Sequence, residues 1–339
     1  VFGVGIVGGR LARELVSGNP EVQLDLHSSR ESRRGELGRV FADRIDKGMV
    51  TVSGMHEDPT PGVRVVVLTG DQPSQVDAAS AHLAAGRHVV TTVDSYECAR
   101  QLWDLDDLAR NKGTTLVVGA CFSPGLTDLL TAYGSTRMDS VEEVHFARHG
   151  ASGPQCAADR LAALRRPAHE WRDGRWVTHR GGTGRQLCWF PDPVGGRDAY
   201  FADTAEPLVT LARMGDLLRC SARLVLSRRD RFAQHLPRML PAPVEGGVGA
   251  VRVEMRGTSG DEQVTLVFGA LDRPGVAAGV LASEVVLAIL GGEAPVGVIG
   301  AGSVADPRAL LRRLRSKGVR VAELGGPTAL GDPANSSHH

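Results

Sequence analysis

Gly3-Val4-Gly5-Ile6-Val7-Gly8-Gly9-Arg10-Leu11 lies at the start of the chain, and its reading decides the fold. Gly3, Gly5 and Gly8 have the G-x-G-x-x-G spacing of a loop that sets a pyrophosphate on a helix N-terminus. Such a loop must follow a strand, yet Gly3–Val7 itself reads as strand. The turn is therefore expected at Gly8-Gly9-Arg10, with helix over Leu11–Ser17. On that alignment the later glycines of the fingerprint fall near Arg10 and Arg13, so the match is degenerate.

Outward from this loop, short apolar runs alternate with helical patterns as far as Phe122. Glu21–His27, Val63–Leu68, His88–Thr92 and Thr115–Val118 read as strands, and Gln75–Ala85 and Cys98–Arg110 as helices. Runs rich in Val and Leu suit a parallel sheet covered by helices on both faces, so a Rossmann-like α/β domain is expected. After Asp139 the texture changes. Val141–His149, Gln186–Phe190, Val251–Arg256 and Gln263–Phe268 read as strands, the last two joined as a hairpin through Gly257–Gly260, which calls for a mixed or antiparallel sheet in a second α+β domain. The segment 154–185, dense in Arg, His, Gly and Trp, reads as a surface excursion or a substrate-facing loop. Pro274–Leu290 reads as a thin helix started by Pro and stopped by Gly291-Gly292. Pro307–Ser316 reads as a helix, and Val319–Glu323 as a strand that rejoins the first domain. The expected division is 1–130 for nucleotide binding, completed by 274–330, with 131–273 for substrate and oligomerisation and 331–339 as a disordered tail.

Composition narrows the function. The 339 residues carry 39 basic and 39 acidic side chains, which leaves no broad polyanion footprint, so no nucleic-acid partner is expected. The longest apolar helical pattern, near 276–290, is short and contains Glu284, so no membrane span is expected. The five scattered cysteines form no CxxC pair and fit a reducing, cytoplasmic setting. No His/Cys spacing makes a metal site: His145 and His149 are four apart, but on a strand pattern. Lys47, Lys112 and Lys317 each precede a glycine, as at helix ends, and none is a convincing catalytic lysine.

The cofactor reading extends to later strand ends. Gly8, Gly9 and Arg10 would present helix amides to a pyrophosphate. Ser28, Ser29 and Arg30 stand where NAD enzymes place a ribose-gripping acid, and hydroxyls with arginine suit a 2'-phosphate. NADP(H) is therefore expected, with NAD(H) as the alternative. Gly70 and Thr92, at two further strand ends, leave room for the nicotinamide riboside. The loop Gly119–Asp128, with Cys121, Phe122 and Pro124, should border the nicotinamide.

With the Gly8-Gly9-Arg10 start, the stretch Ala85–Thr92, the loop Phe122-Ser123-Pro124-Gly125-Leu126, the segment Trp171–Trp176 and the segment Phe190–Gly195, the sequence resembles the saccharopine dehydrogenase-like oxidoreductases over most of its length. It is more loosely similar to dihydrodipicolinate-reductase-like and amino-acid dehydrogenases. The resemblance implies a pyridine-nucleotide oxidoreductase working at a carbon–nitrogen bond of an amino-acid-derived imine or secondary amine. It departs from the Lys/His acid–base pair of some saccharopine dehydrogenases. Such a reaction needs a proton-handling group and a cation for a small carboxylate-bearing substrate. His149, Asp94 and His179 are the candidates for the first role, and Arg160, His169 and Arg180 for substrate binding. A homodimer is expected, with the thin 274–290 helix and the second sheet as its surfaces. Two alternatives stand: a semialdehyde dehydrogenase or acyl-phosphate reductase using Cys121 as thiolate, and a Rossmann scaffold kept as a non-catalytic ligand sensor.

Overall fold

The first strand is shorter than the apolar pattern suggests. In the computed structural model, which describes residues 1–226 and 247–324, only Phe2 pairs as strand, in parallel with His27 and Leu68. Gly3 then turns the chain at φ +93°, and Gly5 precedes a helix that starts at Ile6. Gly3–Val7 is therefore not a strand, and Gly8-Gly9-Arg10 is not a turn but part of the first helix. The physical reason lies at Gly3: a Cβ there would stand 2.9 Å from the Gly70 amide nitrogen, and the left-handed backbone that glycine permits ends the strand.

Beyond Phe2 come α1 (Ile6–Gly18), β1 (Leu24–His27), α2 (Glu31–Val40), α3 (Ala42–Ile45), β2 (Val50–Ser53), β3 (Val65–Leu68), α4 (Gln72–Ala84), β4 (His88–Thr91), α5 (Tyr96–Trp103), α6 (Asp106–Asn111) and β5 (Thr115–Val118). With β14 (Gly297–Gly300) they build a parallel sheet in the order β2, β1, Phe2, β3, β4, β5, β14. The Val- and Leu-rich strands β3, β4 and β5 are buried almost throughout, as suits a sheet covered on both faces. The sequence pattern missed α2 because Leu37 is its only buried residue. It also merged α5 and α6, which are separate helices.

The chain then runs through α7 (Gly125–Ser135), β6 (Ser140–His149), α8 (Pro154–Ala163), β7 (Pro167–Arg172), β8 (Arg175–Arg180), β9 (Gln186–Trp189), β10 (Gly196–Phe201), α9 (Glu206–Met214), β11 (Arg219–Val225), β12 (Gly249–Ser259), β13 (Glu262–Asp272), α10 (Pro274–Leu290), α11 (Pro307–Ser316) and β15 (Arg320–Glu323). The second sheet is mixed, in the order β15, β13, β12, β6, β11, β10, β9, with β7 against β11 and β8 against β7. Only β6 and β11 run parallel; the other ladders are antiparallel. Segment 154–185 is thus no loop: it supplies α8, β7 and β8. Nor does Val319–Glu323 rejoin the parallel sheet. As β15 it pairs with β13, and Arg137 clamps Glu323 at 2.6 Å. Of the 274–330 segment, β14 joins the parallel sheet, whereas 325–330 and the expected tail 331–339 lie outside the described residues.

Two buried helices join the layers. In α7 every residue from Gly125 to Gly134 is buried; Asp128 pairs with Arg213 at 3.1 Å and accepts the Gly302 amide at 2.7 Å. The thin α10 packs on α1: a Cβ on Gly275 would meet Ile6 at 2.6 Å, and one on Gly279 would meet Arg10 at 2.6 Å. Because α10 is covered along its length by its own chain, it offers no face to a second subunit.

Candidate active site

A cleft of about 480 Å³ lies beyond the C-terminal ends of the parallel strands, where open α/β sheets bind ligands. Its floor starts with Gly3, Gly5, Ile6, Val7 and Gly8. The first amides of α1 have no carbonyl four residues earlier within the helix, so they are available to an anion. Gly8 faces Thr69: a Cβ there would lie 3.0 Å from Thr69 Oγ1 and 3.1 Å from the Gly3 carbonyl oxygen. The three glycines thus serve a sharp turn, a helix start and a close helix–strand approach, which is what a dinucleotide loop requires. Arg33 crosses behind this loop and donates from Nε to the Val4 carbonyl at 2.9 Å.

Strand ends β3 and β4 supply Thr69, Gly70, Gln72, Gln75, Thr92 and Asp94. Two glutamines brace them. Gln75 donates to the Gly70 carbonyl at 2.8 Å and accepts the Thr92 amide at 3.0 Å. Gln72 donates to Asp94 Oδ1 at 2.7 Å and accepts the amides of Asp94 and Ser95. The β5–α7 loop adds Cys121, Phe122 and Ser123. From the second sheet come Arg148 and Gly150, followed by 151–154 and by Gln155, Cys156, Asp159 and Arg160 of α8.

Arg148 joins the two sides. Its Nη1 donates to Asp94 Oδ2 at 2.7 Å and to the Ser123 carbonyl at 3.1 Å. Burial works against its charge, but Asp94 and Glu206 outweigh burial and push its pKa above the ordinary guanidinium value. Burial raises the Cys121 thiol far above its usual range, Asp94 adding to the effect and Arg148 opposing it. Burial likewise raises Cys156 and Asp159, in each case with Asp94 contributing. At the cleft wall, Ser123 Oγ donates to Glu206 Oε1.

No family model matches the sequence, and no curated protein does. Among solved structures, the chain is similar to the apo, histidine-tagged saccharopine dehydrogenase (L-Glu forming) of Saccharomyces cerevisiae, at 12% identity with a TM-score of 0.65, covering 96% of this chain and 99% of that one. The fold is that of saccharopine dehydrogenase. A probable dehydrogenase from Thermotoga maritima (10% identity, 95% and 97% covered, TM-score 0.48) is a more distant likeness. So is an amine dehydrogenase from Mycobacterium smegmatis (14% identity, 89% and 94% covered, TM-score 0.47).

Within this saccharopine dehydrogenase fold, the residues expected from sequence divide sharply. Gly8, Arg30, Gly70, Thr92, Asp94, Cys121, Phe122 and Arg160 line the cleft. The others do not. Gly9 is buried inside α1 against Arg33, and Arg10 pairs with Glu14 at 2.6 Å on the helix flank. Ser28 is buried, Ser29 is exposed, and both carbonyls accept Arg34 rather than facing the cleft. Pro124 precedes α7 and sits behind the lining.

The histidines are corrected by geometry. His149 follows Arg148 on β6, and strand alternation turns its side chain to the opposite face from Arg148 and Gly150. His179 is held by the buried Glu170 at 2.6 Å and stacks on Phe201 at 4.0 Å, while His169 stacks on Tyr96 at 3.9 Å. Neither lines the cleft, and neither does Arg180 on β8. The sequence reading passed over Gly3, Gly5, Gln72, Arg148 and Asp159 as site residues and took Ser123 only as part of a loop. Arg148 had a readable signal: it is in phase with the buried Val144 and Phe146.

Proposed function

We propose that the chain is an oxidoreductase that uses a nicotinamide dinucleotide, NADP(H) in preference to NAD(H), to act at a carbon–nitrogen bond of an amino-acid-derived imine or secondary amine. The observation that carries this reading is the meeting of two half-sites. A glycine loop with Gly3 at φ +93° opens onto the same cleft that Arg148 of β6 and Asp159 and Arg160 of α8 close from the other side.

The residues fit a dinucleotide. Gly3, Gly5 and the first amides of α1 would hold the pyrophosphate, with Gly8 admitting close packing on Thr69. Arg30, on the cleft beyond the strand end, would meet a 2'-phosphate, with Arg34 ordering the Ser28–Ser29 backbone beside it. Gly70, Thr92, Cys121 and Phe122 would border the nicotinamide riboside. Bound there, the nicotinamide supplies the hydride donor or acceptor.

The chain's own residues do the rest. Arg160 anchors the substrate carboxylate. Arg148, fixed by Asp94 and Ser123, keeps the two sheets in register so that the substrate carbon and the cofactor meet. Phe122 and Pro274 exclude water from one wall. The Cys121 nucleophile reading is disfavoured by a thiol that burial holds protonated, and the scaffold reading by a cleft that side chains leave open. Leu187 and Trp189, exposed on edge strand β9, are the apolar surface that supports a homodimer now that α10 is covered.

The test is an NADPH and NADH oxidation screen over 2-oxo acids and aldehydes paired with amino acids. Turnover is expected only when both partners are present. Phosphate-dependent aldehyde oxidation, or no nucleotide binding at all, would overturn the reading.

A further inference from the structure

The reaction above requires a proton acceptor, and the groups lining the cleft narrow the choice. Both Asp94 oxygens are engaged, Oδ2 by Arg148 and Oδ1 by Gln72, each at 2.7 Å. The thiols of Cys121 and Cys156 are raised by burial and cannot hold a thiolate cheaply. Asp159 Oδ1 accepts the Gln155 amide at 3.0 Å. Ser123 is different. It borders the cleft, its hydroxyl hydrogen is directed at Glu206 Oε1, and Glu206 is 2% exposed.

Glu206 sits in the first turn of α9, a nine-residue helix whose N-terminal field favours a carboxylate. Its second oxygen, Oε2, has no hydrogen-bond partner among the described residues and no contact with solvent. Buried carboxylates used purely as struts have their oxygens satisfied; the Glu170 carboxylate is such a case, with Arg219 on Oε1 and Arg172 and His179 on Oε2. The groups facing Glu206 electrically are Arg148 of β6, Cys121 of the β5–α7 loop and Cys220 of β11.

Resting on the oxidoreductase reading, we propose that Ser123 and Glu206 form a proton relay that strips the substrate ammonium before hydride leaves. An N–H bond of the ammonium breaks and its proton passes to Ser123 Oγ, while the hydroxyl proton of Ser123 passes to Glu206 Oε1. The products of this step are a neutral amine and a Glu206 carboxylic acid. The neutral amine so formed has the lone pair that a C=N bond needs; an oxidised dinucleotide, when bound, would supply the acceptor for the hydride lost from the adjacent carbon, leaving a protonated imine. Ser123 is the catalytic residue; Glu206 acts through it and is a positioning and proton-storing residue.

Infrared difference spectroscopy on protein with oxidised dinucleotide tests this without turnover. The probe is an α,α-dialkyl amino acid, which carries an ammonium and a carboxylate but has no hydride to give. Binding heat should be accompanied by a new non-ionised carboxyl C=O band. That band should vanish in Glu206→Gln, which keeps the shape of the side chain, and in Ser123→Ala, which removes one oxygen, while the probe still binds within about threefold. With an amine found in the coupling screen, single-turnover hydride transfer should fall by about 10²–10⁴-fold in both variants. Binding heat without the band, or a band that survives Glu206→Gln, overturns the relay and leaves the oxidoreductase reading standing. No heat from either nucleotide or probe overturns both.

Discussion

Replacing Arg148 by Met should cost about 3 kcal/mol, and the size follows from what it leaves behind. The guanidinium and the Asp94 carboxylate are 10% and 16% exposed and 2.7 Å apart, so removing the cation strands a largely buried carboxylate. Breaking one side of such a pair typically costs about 3–5 kcal/mol, whereas replacing both sides with apolar groups is often close to neutral. The lower end applies to Arg148→Met, since Asp94 keeps its bond from Gln72. Asp94→Leu should cost less, about 2 kcal/mol, because Arg148 retains the Ser123 carbonyl and the field of Glu206. The double variant should lose only about 1–2 kcal/mol, so the coupling is about 3–4 kcal/mol. Urea denaturation of all four proteins, compared at constant m-value, reads this directly. Additivity within about 0.5 kcal/mol would refute the reasoning, because the two halves of the cleft would then be joined by something other than this ion pair.

Gly3→Ala should destabilise the chain by about 1–3 kcal/mol and abolish dinucleotide binding in a fluorescence titration, since its Cβ would meet the Gly70 amide at 2.9 Å in a left-handed backbone; unchanged binding would detach the glycine loop from the cofactor. Cys121→Ser should retain turnover, and alkylation of Cys121 at mildly alkaline pH should be slow, because burial holds the thiol protonated; loss of activity would restore the thiolate mechanism. Arg30→Glu should shift the NADPH-to-NADH preference by at least about tenfold toward NADH in kcat/KM, the effect of about 1.4 kcal/mol at the ribose phosphate. Burial raises the Asp159 carboxyl in the folded state, so its contribution to stability is fully present below the unfolded pKa and is lost as pH rises through the folded value. Asp159→Asn should therefore remove a decline in stability across the upper carboxylate range, seen as a flatter pH dependence of the urea midpoint.

The apolar strands and the Pro- and Gly-bounded helices were legible because their signals are local: Pro274–Leu290 and Pro307–Ser316 begin and end where the sequence says they should. The glycine loop was harder. Gly3, Gly5 and Gly8 have the correct spacing, but Val4, Ile6 and Val7 look like strand residues, and only the crowding of Gly3 against Gly70 shows that the strand has already ended. That information is non-local, since Gly70 belongs to another strand's end. The same holds for the second half-site. A histidine is the usual suspect for proton work, and His149 drew attention for that reason, yet one step along a strand reverses a side chain, and the residue in phase with the core is Arg148. Glu206 illustrates the limit most sharply. Beside Pro207 at the start of a helix it reads as ordinary N-terminal chemistry, and nothing in its neighbourhood of sequence points to Ser123, which lies 83 positions away. What brings them together is α7, buried from Gly125 to Gly134, against which α9 packs through the Asp128–Arg213 pair. The Ser123–Glu206 contact is therefore set by the packing of two helices rather than by a motif, which is why no local reading of the sequence around either residue points to the other.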